Sequence, residues 1–329
     1  MKIVLAGGTG FIGRALRREL LSAGHELVVL TRGKNAEAGR ERFMTWDGPC
    51  PRFFKKIDKC RPNSRCAEIE SYWDGKTLGE WAAYLDGADA VINLVGENIA
   101  AGRWTVERKA RLLSSRVDAT RVIITAIEQS RKKPAVLINA SAVGYYGDVP
   151  ERELTESSGK GEGFLAEICE QWESEARKAE SCGTRVILAR LGPVLGEKGG
   201  MLSKMLPPFR FFMGAPLGTG GQWIPWIHRE DVIRIFLFML ERWELSGPVN
   251  VTSPAPTTMK DFSLELARAL RRPCGFPVPS FLLSMLLGER AAIVLAGQRA
   301  LPQKLLAAGY AFRYASLRPA FESILKKRA

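Results

Sequence analysis

A chain of 329 residues with 46% hydrophobic and 25% charged side chains has the composition of a folded globular protein. Its length suits one large α/β domain or two smaller ones, which excludes a disordered, fibrous or channel-forming chain. Its 48 Lys and Arg against 35 Asp and Glu leave a net charge of +13, so polyanions, anionic membrane surfaces and phosphate-bearing ligands all enter as candidate partners.

In chain order, Lys2-Ile3-Val4-Leu5-Ala6 predicts a buried strand, and Gly7-Gly8-Thr9-Gly10-Phe11-Ile12-Gly13 follows at once. Ala15, Leu16, Leu20 and Leu21 recur at helical spacing, Gly24 supplies the stop, and Leu27 to Thr31 reads as the next strand. The stretch from Asn35 to Ser71 is polar and basic, and is expected to be an inserted surface loop. Trp-Asp-Gly occurs twice, at Trp46-Asp47-Gly48 within it and at Trp73-Asp74-Gly75 just beyond it, too little to argue duplication. Residues 90–95, 135–140 and 185–190 are short runs apolar on both faces, separated by helical stretches from Val106 to Ser130 and from Phe164 to Ser181. That alternation predicts an α/β fold, a Rossmann-type doubly wound parallel sheet. After Gly192 come Pro- and Gly-rich loops with aromatics, a helix from Asp231 to Trp243 and a basic helical tail.

His25 and His228 are too few for a multi-histidine metal site, and any serine nucleophile would have to share one of them. Cys50, Cys60, Cys66, Cys169, Cys182 and Cys274 form no CxxC pair and follow no secretory leader. Reduced thiols, a cytoplasmic location and no metal are the expectation. The longest apolar runs, Ile233 to Leu240 and Phe281 to Leu287, are shorter than the ~20 residues a membrane span needs.

The first glycine cluster satisfies GxGxxG with Gly8, Gly10 and Gly13, and GxxGxxG with Gly7, Gly10 and Gly13. Glycine is needed there because the turn is tight, the backbone must approach a pyrophosphate, and the helix must pack on its strand, its free N–H groups facing the phosphates. Where an acid would bind the adenosine ribose and select NAD, the second strand ends in Thr31-Arg32-Gly33-Lys34. Arg32 and Lys34 can hold a 2′-phosphate, which points to NADP (NADPH). The alternative is a solvated loop arginine. On this reading residues 1–191 form the NADP-binding domain, with the insertion at about 35–71, and residues 192–329 a smaller C-terminal substrate-side region.

Four further segments carry a resemblance: Asn93 to Ile99, Ser141 to Asp148, Gln222 to His228, and the tail Leu301 to Tyr310. With the glycine cluster, they make the chain resemble the extended short-chain dehydrogenase/reductases of the nucleotide-sugar epimerase and dehydratase type. More narrowly, the chain is similar to an atypical branch called epimerase family proteins, sometimes labelled cell-division inhibitors, whose C-terminal module of unknown function matches about residues 275–325. The resemblance implies cofactor contacts from Gly7, Thr9, Gly10, Phe11, Ile12, Gly13, Arg32, Lys34, Leu94, Val95, Gly96, Ala140 and Arg190. It also implies that the family has little of the Asn35 to Ser71 stretch.

Active members use an Asn-Ser-Tyr-Lys set, because a phenol transfers a proton poorly near neutrality unless a cation stabilises the phenolate. The helix Phe164-Leu165-Ala166-Glu167-Ile168-Cys169-Glu170-Gln171-Trp172-Glu173, where YxxxK should lie, has neither Tyr nor Lys, and Arg116 occupies the place of the Asn. Ser141 remains. Tyr145, Tyr146 and His228 are the candidate replacements, each with a structural alternative: Tyr146 matches a mostly structural tyrosine, and His228 beside Asp231 fits a helix entry. Glu97, Asn98, Arg116, Gln222 and Trp226 are the candidate substrate contacts, with Arg103 and Arg108 as further anion ligands.

Two functions follow as expectations. The first is an NADP(H)-binding oxidoreductase or epimerase-like protein acting on a small polar carbonyl or hydroxyl compound, sugar-derived ones included. The second is a catalytically weak or inactive NADP(H)-sensing regulatory or scaffold protein. A monomer or homodimer is expected, without nucleic acid or membrane as partner, since Arg52 to Arg65, Arg131 to Lys133 and Lys326 to Arg328 are scattered and lack interleaved stacking aromatics.

Overall fold

Short strands apolar on both faces are satisfied only between two layers of helix, and the chain builds that sandwich. The computed structural model describes residues 1–32, 41–43, 67–197 and 199–325. In the first half lie β1 (Lys2–Ala6), α1 (Gly13–Ser22), β2 (Glu26–Thr31), β3 (Glu41–Phe43), β4 (Ala67–Tyr72), β5 (Ala90–Asn93), α2 (Val106–Gln129), β6 (Val136–Ala142), β7 (Val149–Leu154) and α3 (Phe164–Arg177). Then come β8 (Arg185–Leu191), β9 (Val194–Gly196), β10 (Gly199–Gly200), α4 (Leu202–Arg210), β11 (Trp223–Ile224), β12 (Ile227–His228), α5 (Arg229–Glu241) and β13 (Gly247–Val251). The last third adds β14 (Thr257–Thr258), α6 (Met259–Leu270), α7 (Ser280–Leu287), α8 (Ala292–Leu295), β15 (Gln298–Ala300), α9 (Gln303–Ala307) and α10 (Leu317–Leu325).

The central sheet runs β13-β8-β6-β5-β1-β2-β4-β3. Its pairings are parallel except that of β3 with β4. This is the Rossmann-type order, and it reverses direction between β1 and β5, where ligands bind beyond the strand ends in such sheets. Alternate residues of each strand serve opposite faces. Ile3, Leu5, Leu27, Val29 and Ile92 pack with Leu16 and Leu20 of α1 and Phe236 and Met239 of α5. Val4, Ala6, Val28, Leu30 and Val91 pack with Ile123 and Ile127 of α2. A third cluster joins α4, α6 and α10 around Phe209, Trp226, Phe262 and Phe321.

The strands expected at residues 2–6, 27–31, 90–95, 135–140 and 185–190 are all in the sheet. The loop expected from Asn35 to Ser71 needs correction at its described parts: residues 67–71 belong to β4, and residues 41–43 pair beside it. Charge hid this strand. Glu68 is buried in β4 because both it and Glu70 take the Arg17 guanidinium of α1, so an acid stands where an apolar residue was required. β13 also escaped notice, since Gly247, Pro248 and Asn250 do not read as a strand; as the sheet edge it tolerates proline. Trp73 packs edge-on against Trp81 at 5.4 Å between ring centroids, while Trp46 and the Cys50, Cys60 and Cys66 group lie outside the described residues. No helix among the described residues is long and apolar enough to cross a membrane.

The C-terminal segment is stitched to the sheet layer. β15 pairs with β7, and Leu301 N–H donates to Leu154 O at 2.8 Å. Asp231 in the first turn of α5 is fully buried and accepts from Arg313 N–H at 2.8 Å, Tyr314 N–H at 2.9 Å and the Tyr310 hydroxyl at 3.3 Å. Removing that carboxylate would leave the buried Tyr314 N–H and the partly buried Arg313 N–H without their acceptor. Asp231→Ala is therefore expected to cost about 3 kcal/mol, and Asp231→Asn, which keeps one acceptor oxygen, less; urea denaturation measures both.

Candidate functional site

The turn after β1 stands on one side of the sheet's reversal point. Gly7 has φ +84°, and a Cβ there would lie 2.9 Å from the Leu94 carbonyl carbon. A Cβ at Gly13 would sit 2.2 Å from Gly7 O, whereas one at Gly10 would meet only that oxygen, at 3.4 Å. Two of the glycines are thus demanded by the fold, and Gly10, which is exposed with Thr9, faces open space. No side chain caps α1 and its first turn carries no acid, so the positive end of the helix is not neutralised locally. Phe11 fills the space above Gly196 and Gly199, with the Arg229 guanidinium 5.1 Å from its ring centroid. Arg32 is exposed just past β2; Lys34 lies outside the described residues.

The loop after β5 forms the other side. Leu94 N–H donates to Ala6 O at 2.9 Å, and Val95 N–H to Asn93 Oδ1 at 3.1 Å. Asn93 is buried and donates to Thr120 Oγ1 at 2.9 Å and to Asn139 Oδ1 at 2.7 Å; Trp172 Nε1 donates to the same Thr120 oxygen at 3.0 Å. This network fixes where β5 and β6 end. Gly96 lies against Arg116, which donates to Glu97 O at 2.9 Å and Leu112 O at 2.8 Å over the Trp172 ring. Burial holds the Arg116 guanidinium below its ordinary pKa. Glu97 pairs with Arg108, and Asn98 Oδ1 accepts from Ala100 N–H at 2.9 Å. Arg103 is exposed. The C-terminal segment clasps this loop: Lys109 pairs with Glu289, and Arg290 donates to Ala100 O at 3.4 Å.

At the end of β6, Ser141, Tyr145, Tyr146 and Arg190 come together around a residue that sequence reasoning passed over, Glu173 of α3. Ser141 Oγ donates to Glu173 Oε1 at 2.7 Å. Arg190 donates through Nε and Nη2 to the two Glu173 oxygens, each at 2.8 Å, and through Nη1 to the Tyr146 hydroxyl at 3.0 Å. Burial alone would lower the Arg190 pKa, but the Glu173 carboxylate outweighs it and raises it. The Tyr146 hydroxyl also donates, within reach of Asn250 Oδ1 at 2.7 Å and Thr155 O at 3.0 Å, and burial raises its pKa. Tyr145 differs. Its half-buried ring lies under the Arg190 guanidinium, 3.5 Å from ring centroid to Cζ, and its hydroxyl makes no hydrogen bond to any described residue. Burial pushes the Cys169 thiol, on the same helix, up to about 11. The missed signal was Glu173 itself, an acid on the inward stripe of an amphipathic helix. Ala140 is buried within β6.

The other candidates lie apart from this cluster. His228 is buried, caps α5 by accepting Glu230 N–H at 3.1 Å on Nδ1, and stacks on Tyr314 at 3.9 Å. Gln222 donates to Leu217 O at 2.8 Å and Val294 O at 3.0 Å, and lines a cavity of about 270 Å³ with Asp148, Thr219 and Ser280. Trp226 is fully buried, its Nε1–H on Ala255 O at 3.0 Å. Among the described residues no group of His, Cys, Asp and Glu is placed to hold a metal ion.

Residues 3–251 match the model of the NAD dependent epimerase/dehydratase family, and residues 278–324 match a domain of unknown function, DUF1731. The chain is 39% identical to epimerase family protein YfhF of Bacillus subtilis, covering 100% of this chain and 99% of that one. It is 37% identical to the chloroplastic epimerase family protein SDR39U1 homolog of Arabidopsis thaliana, over 99% and 87% of the two chains. The solved structure of human epimerase family protein SDR39U1 (isoform 2) with NADPH superposes with a TM-score of 0.82 at 31% identity, covering 99% of each chain. By sequence over most of its length, and by the architecture just described, the chain belongs to the NAD dependent epimerase/dehydratase family.

Proposed function

We propose that the protein binds NADP(H) at the reversal point of the sheet and acts as an oxidoreductase or epimerase-like enzyme on a small polar carbonyl or hydroxyl compound, sugar-derived ones included. The observation that carries the reading is the turn of Gly7 to Gly13. Gly7, Gly8 and Gly13 leave no room for a Cβ, and Gly10 is left open where a pyrophosphate would lie. Arg32, exposed where an NAD-selective acid would stand, supports the phosphorylated cofactor, as does the NADPH in the human relative's structure. Leu94, Val95 and Gly96 would border the cofactor from the other side. When bound, the nicotinamide supplies or accepts the hydride.

The chain's own residues would then manage one proton. Ser141 gives its hydrogen to Glu173 and is turned inward, which leaves its oxygen acceptor capacity only. Tyr146 is committed to Arg190, Asn250 and Thr155. The reading therefore assigns proton transfer to Tyr145, whose hydroxyl is uncommitted and whose ring is fixed against Arg190. The second reading, NADP(H)-sensing without turnover, draws on the same cluster, since Glu173 neutralises the Arg190 guanidinium against which Tyr145 packs.

Four outcomes are expected. Gly10→Ala should change stability by no more than about 1 kcal/mol yet abolish NADPH binding in a fluorescence titration. Gly13→Ala, which drives a Cβ into Gly7 O, should cost about 3 kcal/mol or more in thermal unfolding. Arg32→Glu should weaken NADPH about tenfold or more while sparing NADH; equal binding of both cofactors by the parent chain would overturn the NADP assignment. Tyr145→Phe should lower kcat about a hundredfold with NADPH affinity unchanged, read by loss of NADPH absorbance across a library of carbonyl compounds. Tight NADPH binding with no turnover by the parent chain across that library would favour the sensing reading.

A further inference from the structure

We propose that the turn after α4, together with the segment leading into α7, docks on an anionic lipid bilayer surface. Phe211, Phe212 and Met213 follow α4 and are 71%, 63% and 71% exposed, and Phe276 is 95% exposed. The two segments run side by side: Gly275 N–H donates to Gly214 O at 2.8 Å, Val278 N–H to Pro216 O at 2.8 Å, and Gly218 N–H to Val278 O at 2.9 Å. α7, which follows directly, exposes Phe281, Met285 and Leu286 as well. Folding gains nothing by leaving this group in water. Phe212 also holds φ +62°, a region that strains a bulky side chain and marks positions kept for use outside folding.

Charge chooses the occupant. Arg210 ends α4, Arg271 and Arg272 follow α6, and all three are exposed; the Arg272 guanidinium lies 4.4 Å from the Phe212 ring centroid. No Asp or Glu occurs between Glu197 and Glu230 or between Glu265 and Glu289. Apolar tips backed by cations match the interface of an anionic bilayer, where aromatics enter the headgroup layer and arginines meet the phosphates. A second copy across a twofold axis would bring the same cations face to face. Tips this exposed project outward rather than line a groove for a partner's side chains. The sequence alone led to the expectation of no membrane partner, because the basic segments Arg52 to Arg65, Arg131 to Lys133 and Lys326 to Arg328 are scattered; Arg210, Arg271 and Arg272 are brought together by the packing of α4 with α6 and the pairing of residues 214–218 with 275–278.

The test is co-sedimentation of the full chain with phosphatidylcholine vesicles and with vesicles containing phosphatidylserine as well. Binding should require phosphatidylserine and weaken with added salt. F211S/F212S/M213S and R210E/R272E should each weaken it about tenfold or more with little change in unfolding temperature. F212G relieves the positive φ, so it should unfold at the same or a higher temperature while binding less, a combination that general damage to the fold does not produce. No binding to phosphatidylserine vesicles, or binding unchanged in these variants, would overturn the proposal. So would a concentration-dependent dimer, or capture of an acidic protein, that is lost in the same variants without vesicle binding.

Discussion

An ion pair sealed inside the protein, Glu173 with Arg190, governs how the strand ends beside it can be used. Its side chains are 3% and 2% exposed, and deleting Glu173 would leave the Arg190 guanidinium buried without its carboxylate at a cost of about 3–5 kcal/mol. The pair joins α3 to β8, draws in Ser141 from β6, and through Tyr146 reaches Asn250 of β13. Asn250 N–H in turn donates to Glu156 Oε1, which also accepts from Lys304 N–H. A helix that carries no tyrosine–lysine pair has thus become a structural hub, and the serine beside it is turned inward.

The two sides of the sheet's reversal point are held by different means. The glycine turn and the start of the loop after β5 are packed closely, with no room for a Cβ at Gly7 or Gly13 and with the strand ends tied by the Asn93–Asn139–Thr120 network. Further along that same loop, Glu97 and Asn98 are held by Arg108 and by the clasp of Glu289 and Arg290. The arginines that sequence reasoning offered as anion ligands are largely occupied by these internal bonds. Arg103 is the exposed exception.

The core of the sheet was legible in the sequence because parallel strands must be apolar on both faces, and β1, β2, β5, β6 and β8 obey that rule. β4 was not, since Glu68 is acceptable in it only because Arg17 comes from another element to meet it. The glycine turn was legible for a similar reason, as its requirements are local. The cluster at Ser141 was legible in membership but not in arrangement. That Tyr146 is committed and Tyr145 is not depends on Asn250, Thr155 and Arg190, residues remote in sequence. His228 and Trp226 share the motif-bearing segment Gln222 to His228, yet packing against Tyr314 and within the α4–α6–α10 cluster decides their surroundings.

The anchoring of the tail at Asp231 also sets an order of events during synthesis. α5 is made well before Arg313 and Tyr314, whose N–H groups satisfy the buried carboxylate. A nascent chain long enough to form every strand of the central sheet still carries an unsatisfied acid beneath α5. Docking of the tail is therefore what covers the Asp231 carboxylate, and until it occurs that end of α5 is open to solvent.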